Sequence, residues 1–124
     1  MGINWFNEPP KQSVATLTSG SITLNKPATT FFENAYSVML GIDSDARMVV
    51  IKPLSKSEAM SHAIPDNKKI RITVRSSYSR ITNKAFMDEV ADLIGTPFEE
   101  ASIKFPASWD NKEQVLMIDL KGDI

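Results

Sequence analysis

The chain has no cysteine among its 124 residues. Disulfides, thiolate nucleophiles and cysteine-based zinc sites are excluded together, and a reducing cytoplasmic location is expected. No apolar run approaches the roughly 20 residues that a helix needs to span a bilayer, so no membrane partner is expected. The segment MGINWFNEPPKQS has no basic start followed by an apolar stretch, and Phe6 stands where a myristoylation signal has Ser or Thr. The one histidine, His62, has no nucleophile or carboxylate motif beside it and reads as a surface residue in a polar link. Asp43, Asp45 and Asp66, like Asp88, Glu89 and Asp92, lack both a neighbouring histidine and a calcium-loop pattern, and read as solvated acids. No glycine-rich phosphate loop is present. The expectation is therefore a non-enzyme with no cofactor and no metal.

What is present is a folded domain's composition: 42% hydrophobic and 23% charged residues, in a length suited to one domain. Net charge is −1 but unevenly spread. Residues 68–84 hold Lys68, Lys69, Arg71, Arg75, Arg80 and Lys84 with no acid, while residues 85–124 hold three basic and nine acidic residues. This segregation fits a basic face for an anionic partner. The opposing reading is that the basic stretch is neutralised by the acidic C-terminal third.

Residues 1–12 read as an irregular arm, because Pro9-Pro10 bars a helix. Trp5 and Phe6 are expected to pin that arm to the body; the alternative is an exposed anchor for a partner. Alternation predicts strands over 13–18 and 21–24. Asn25-Lys26-Pro27 then starts a short helix over 27–34, with Phe31 and Phe32 facing the core. Residues 36–42 and 46–54 form a hairpin around Asp43-Ser44-Asp45. Residues 55–67 are a link. Residues 68–74 alternate cleanly and predict a full strand, with Lys69, Arg71, Thr73 and Arg75 on one face. A short strand over 80–82 follows. Asn83 caps a helix over 84–94, which Gly95 stops. Residues 100–105 and 113–120 are predicted strands, with a loop or hairpin tip over 106–112 that includes Trp109; Trp109 and Phe105 are expected in the core, the alternative being an exposed stacking platform.

GSITLNK at 20–26 and SRITNK at 79–84 repeat a phrase. Each precedes a short apolar segment and, later, a strand: ARMVVIKPL at 46–54 and EQVLMIDL at 113–120. The expected fold is α+β to mainly β. Two related strand–helix–hairpin units, 13–54 and 68–120, would form one compact body or small barrel over 13–124.

The residues Gly20 to Lys26, then Gly41-Ile42-Asp43, then Met48-Val49-Val50-Ile51-Lys52-Pro53 resemble the AbrB/MazE-type swapped-hairpin domains. Duplication within one chain is similar in organisation to the MraZ proteins. The resemblance covers about 35 residues well. It implies a transcriptional regulator or antitoxin-like protein that binds DNA near the strand–helix step and works as a homo-oligomer. The departures are specific. The arginine that follows the glycine in those families is Ser21 in the first unit; the second has Arg80, preceded by Ser79 instead of glycine. Asn25 and Asn83 stand where proline is common. Asp43 and Arg47 have the spacing of an MraZ motif but fall in a hairpin turn, so no role is transferred.

The candidate nucleic-acid-binding residues are Lys69, Arg71, Arg75, Arg80 and Lys84, which can meet phosphates with release of counterions. A sequence pI near 5.8 weighs against a dedicated DNA binder. The second function expected is a protein-interaction or structural module without nucleic-acid binding, using Trp5 and Phe6.

Overall fold

A computed structural model of the chain describes residues 2–8, 11–95, 98 and 101–122. Strands β1 (Ser13–Leu17) and β2 (Ser21–Leu24) form a hairpin whose turn is held by Thr18, whose N–H donates to the Ser21 carbonyl at 2.9 Å. Helix α1 (Lys26–Thr29) follows, tightening into a 3-10 turn over Thr30–Phe32. Strands β3 (Ser37–Asp43) and β4 (Met48–Leu54) form the second hairpin. The link carries a helical turn, α2 (Lys56–Ala59), and a 3-10 turn at Asp66–Lys68. A third hairpin, β5 (Thr73–Val74) and β6 (Ser79–Thr82), leads to helix α3 (Lys84–Ile94). Strands β7 (Ile103–Asp110) and β8 (Val115–Asp119) close the series.

All eight strands join one antiparallel sheet in the order β3-β4-β8-β7-β1-β2-β6-β5. The sheet curls until its ends meet at one bridge, where Val38 and Ile70 exchange N–H···O bonds of 2.8 Å in both directions. Alternation sends one set of side chains to the concave side: Ala15 and Leu17, Ile22 and Leu24, Val49 and Ile51, Leu116 and Ile118 are all fully buried there. Ile22 and Ile81 are opposed residues at the β2–β6 pairing. Full burial of a side chain this size contributes about 1.5–3 kcal/mol. Helix α3 supplies Met87 and Val90 to the same core. Leu54 and Ala59 are buried apart from this cluster, beside the link.

The helix starts follow the sequence. Asn25 Oδ1 accepts from Ala28 N, and Asn83 Oδ1 from Phe86 N, so each asparagine satisfies an otherwise unpaired N–H. Gly95 ends α3 at φ 84°, a conformation that costs glycine little.

Three expectations are corrected. The predicted strand over 68–74 is regular only at Thr73–Val74, with the isolated bridge at Ile70. Lys68 and Lys69 are instead drawn into the preceding turn: Lys69 N bonds to Asp66 O at 3.1 Å. The predicted loop or hairpin tip over 106–112 is in large part strand, since β7 runs through Pro106 to Asp110 and the turn to β8 falls at 111–114. Proline is tolerated because it faces Val14, whose N–H and C=O are both turned to Asn25. Phe31 does not join Phe32 in the core. It is 39% exposed and stacks on Trp109, with ring centroids 4.5 Å apart and planes 4° from parallel. Trp109 is half-buried and also meets buried Phe32 edge-on. The predicted start of a strand at Glu100 lies outside the described residues.

Candidate nucleic-acid interface

On the convex side, the register lines up a row across five strands. Lys104 of β7 lies opposite Thr16, Thr16 opposite Thr23, Thr23 opposite Arg80, and Arg80 opposite Thr73. Strands repeat about every 4.8 Å, so the Lys104 and Arg80 backbones stand about 14 Å apart. Ser21 and Thr82 form the neighbouring pair. The outward surface of β1, β2 and β6 is thus mostly hydroxyl-bearing.

Arg71 and Arg75 flank Thr73 at two-residue spacing, on the side of the chain that alternation turns outward. Both are exposed, while Ile70, Ile72 and Val74 between and beside them are half-buried. Arg80 faces Thr73, so its diagonal neighbours are Arg71 and Arg75, within reach of long side chains. Arg80 Nε donates to Thr23 Oγ1 at 3.3 Å, which leans its guanidinium across β2. Arg75 N donates to the Tyr78 carbonyl at 2.8 Å around Ser76-Ser77, placing exposed Tyr78 beside the hairpin tip.

The predicted residues divide. Arg71, Arg75 and Arg80 share this surface, and among the described residues none of them forms an ion pair. Lys69 does not join them. Its ammonium is tied to Asp66 at 3.1 Å and to the Ser61 carbonyl at 3.3 Å, and its side chain is only 15% exposed. Lys84, at the start of α3, pairs with Asp88 one helical turn on, at 3.0 Å. Of the acidic C-terminal third, β7 and β8 pair with β1, β4 and each other and not with the basic stretch, while α3 brings Glu89 to the same cleft as Lys68. Among the described residues, Lys84–Asp88 is the one ion pair joining the two regions.

Sequence reading missed Lys104. It is one of three lysines in an acidic third, and only the β1–β7 register aligns it with Arg80. The strand alternation of IKFPA was the available signal; the partner strand was not.

Trp5 and Phe6 are not pinned to the body. They are 79% and 86% exposed, and Ile3 is 68% exposed. Pro9 and Pro10 separate these side chains from β1 and withhold backbone N–H groups only at their own two positions. His62 is exposed, as expected. No group of three or more potential metal-binding side chains occurs among the described residues. No helix of the described residues is long and apolar enough to cross a membrane.

Comparison with known protein families, with curated proteins and with solved structures finds no match for this chain.

Proposed function

We propose that the chain is a non-enzymatic regulator that binds DNA through the outward surface of β5, β6 and β2. The observation that carries this reading is the cluster of Arg71, Arg75 and Arg80, exposed on one surface without an ion-pair partner among the described residues. Guanidinium groups bind phosphate in a bidentate way and can read guanine in the major groove, which admits a two-stranded ribbon such as β5–β6. Lys104 and the Thr16, Thr23 and Thr82 hydroxyls extend the surface with further donors. Three phosphate contacts give a slope of about −3 for log affinity against log salt. Titration of labelled duplex DNA at low and moderate salt tests this. Absence of binding at low salt, or binding insensitive to salt, removes it.

The internal organisation supports the same reading. The chain runs hairpin, helix, hairpin twice, and exchanging β1–β4 with β5–β8 leaves the closed order of strands unchanged. Ile22 faces Ile81, with Ser21 opposite Thr82 and Thr23 opposite Arg80, so the repeated Ile-Thr steps pair with each other. The β3–β4 and β7–β8 turns match: Asp43 and Asp110 each accept a turn N–H, and Arg47 and Gln114 have φ 55° and 57°. We infer two units related by a pseudo-two-fold axis, which fits the likeness to duplicated swapped-hairpin domains.

A second reading is favoured by the exposed arm. Trp5 and Phe6 are residue types that anchor protein interfaces, and here they are left open. A complex lost on deletion of residues 1–12, with unchanged stability, selects an interaction module; loss of folding rejects it.

A further inference from the structure

The curled sheet has two long seams, and they differ. Between β1 and β7 five residue pairs form, from Ser13 opposite Ala107 to Leu17 opposite Ile103. In the corresponding place between β3 and the 70–74 segment, Val38 and Ile70 form the one bridge. Beyond it, among the described residues, nothing pairs with this edge of β3. Alternate residues of an antiparallel strand point their N–H and C=O groups to the same side. Val38 points its pair at Ile70, so Leu40 and Ile42 point theirs into the open seam.

Helix α3 stands alongside but does not fill the gap. A cleft of about 350 Å³ remains, with Met39, Leu40, Ile70 and Phe86 as apolar wall and Lys68 and Glu89 at its polar margin. The opening continues past Ile42 and Leu93. The closed seam shows what such an edge accepts, namely an antiparallel strand.

We propose that this open seam receives the N-terminal arm of a second copy of the chain, residues 3–7, added as a strand along β3 with Trp5 seated in the cleft. The arm has the required features. Ile3, Trp5 and Phe6 are exposed, and among the described residues nothing hydrogen-bonds to residues 2–8. In an extended chain Ile3 and Trp5 share one side, two residues apart. An indole suits the cleft chemically: an apolar body against Met39, Leu40 and Phe86, a single N–H donor for the Glu89 carboxylate, and a ring face for the Lys68 ammonium. Each chain has one such arm and one open edge, so reciprocal exchange closes as a two-fold dimer. Two exposed liabilities, a bare strand edge and an apolar arm, are removed together.

The test compares the full chain, a chain lacking residues 2–7, and Trp5→Ser. Each is examined by sedimentation and by amide hydrogen exchange at about 1 and about 100 µM. Trp5→Ser changes one exposed side chain and guards against any folding effect of the deletion. The expected result is a dimer at the higher concentration for the full chain alone, with the Leu40 and Ile42 amides exchanging at least about tenfold more slowly there than in either variant. A full chain that stays monomeric overturns the proposal, as does a dimer that survives both changes. Equal exchange at Leu40 and Ile42 in all three proteins also overturns it. Fast exchange then means an empty edge; slow exchange means the chain's own 66–69 segment closes the seam.

Discussion

Val38 and Ile70 exchange two backbone hydrogen bonds of 2.8 Å, and among the described residues this pair alone bridges the two ends of the sheet. Ile70→Pro removes one of the two donors and leaves the carbonyl of fully buried Val38 without its partner. An unsatisfied buried acceptor costs about 1–3 kcal/mol. Urea denaturation should show a loss of that size, with Ile70→Val close to the parent protein.

The two helix caps are unequal. Asn83→Ala removes one bond to Phe86 N and should cost about 1 kcal/mol. Asn25→Ala removes more, because the same side chain also accepts from Val14 N at 3.0 Å and donates to Gln12 O at 2.9 Å. Its cost should exceed that of Asn83→Ala by about 1 kcal/mol in paired denaturation curves.

The turn positions with left-handed backbone predict a gain. Gln114 holds φ 57° and is exposed, and its Nε2 donates only within its own turn, to the Asn111 carbonyl at 2.6 Å, so Gln114→Gly gives up one solvent-exposed local bond and relieves a conformation that costs other residues about 1 kcal/mol. Arg47 holds φ 55° but donates from Nη2 to the Leu93 carbonyl at 2.8 Å, tying its turn to the end of α3. Arg47→Gly should therefore stabilise less than Gln114→Gly, measured as the difference in thermal midpoint.

Glu58 closes a capping box with Ser55. The Ser55 backbone N–H donates to its carboxylate, the Ser55 hydroxyl adds to this, and the Lys52 ammonium contributes a smaller attraction; together they hold its pKa below the usual glutamate range. A depressed carboxyl pKa stabilises the fold above the unfolded-state value, and the contribution is lost as pH falls through the folded-state value. The side chain is solvent-facing, so the effect is small. Carboxyl NMR titration should find Glu58 low in the parent and shifted upward in Ser55→Ala. An unchanged titration in that variant would reject the box as the cause.

Much of the architecture was legible where local chemistry and burial agree. Alternation marks β1 and β2, the polar Asp43-Ser44-Asp45 turn marks the β3–β4 hairpin, and Asn83 with Gly95 brackets α3 at its true limits. The failures occur where a distant partner decides. The alternation of Ile70, Ile72 and Val74 was read correctly as facing, but the strand frays because Lys69 is held by Asp66 and Ser61. Pro106 stands inside β7 because Val14, opposite it, turns its polar groups to Asn25, a pairing that local sequence does not show. Arg71, Arg75 and Arg80 were visible as a charge run; that Lys104 lies in the same row depends on pairing across more than 80 positions of sequence.

The central claim is that three arginines on one sheet surface hold an anionic polymer. Fluorescence anisotropy with labelled duplex DNA, across a salt series, tests it in the parent protein, in Arg71→Ser/Arg75→Ser/Arg80→Ser, and in a Lys69→Ser control. The account predicts binding with a log–log salt slope of about −3 in the parent and the control, and its loss in the triple variant. Binding of equal strength and slope in the triple variant, or none in the parent at low salt, contradicts it.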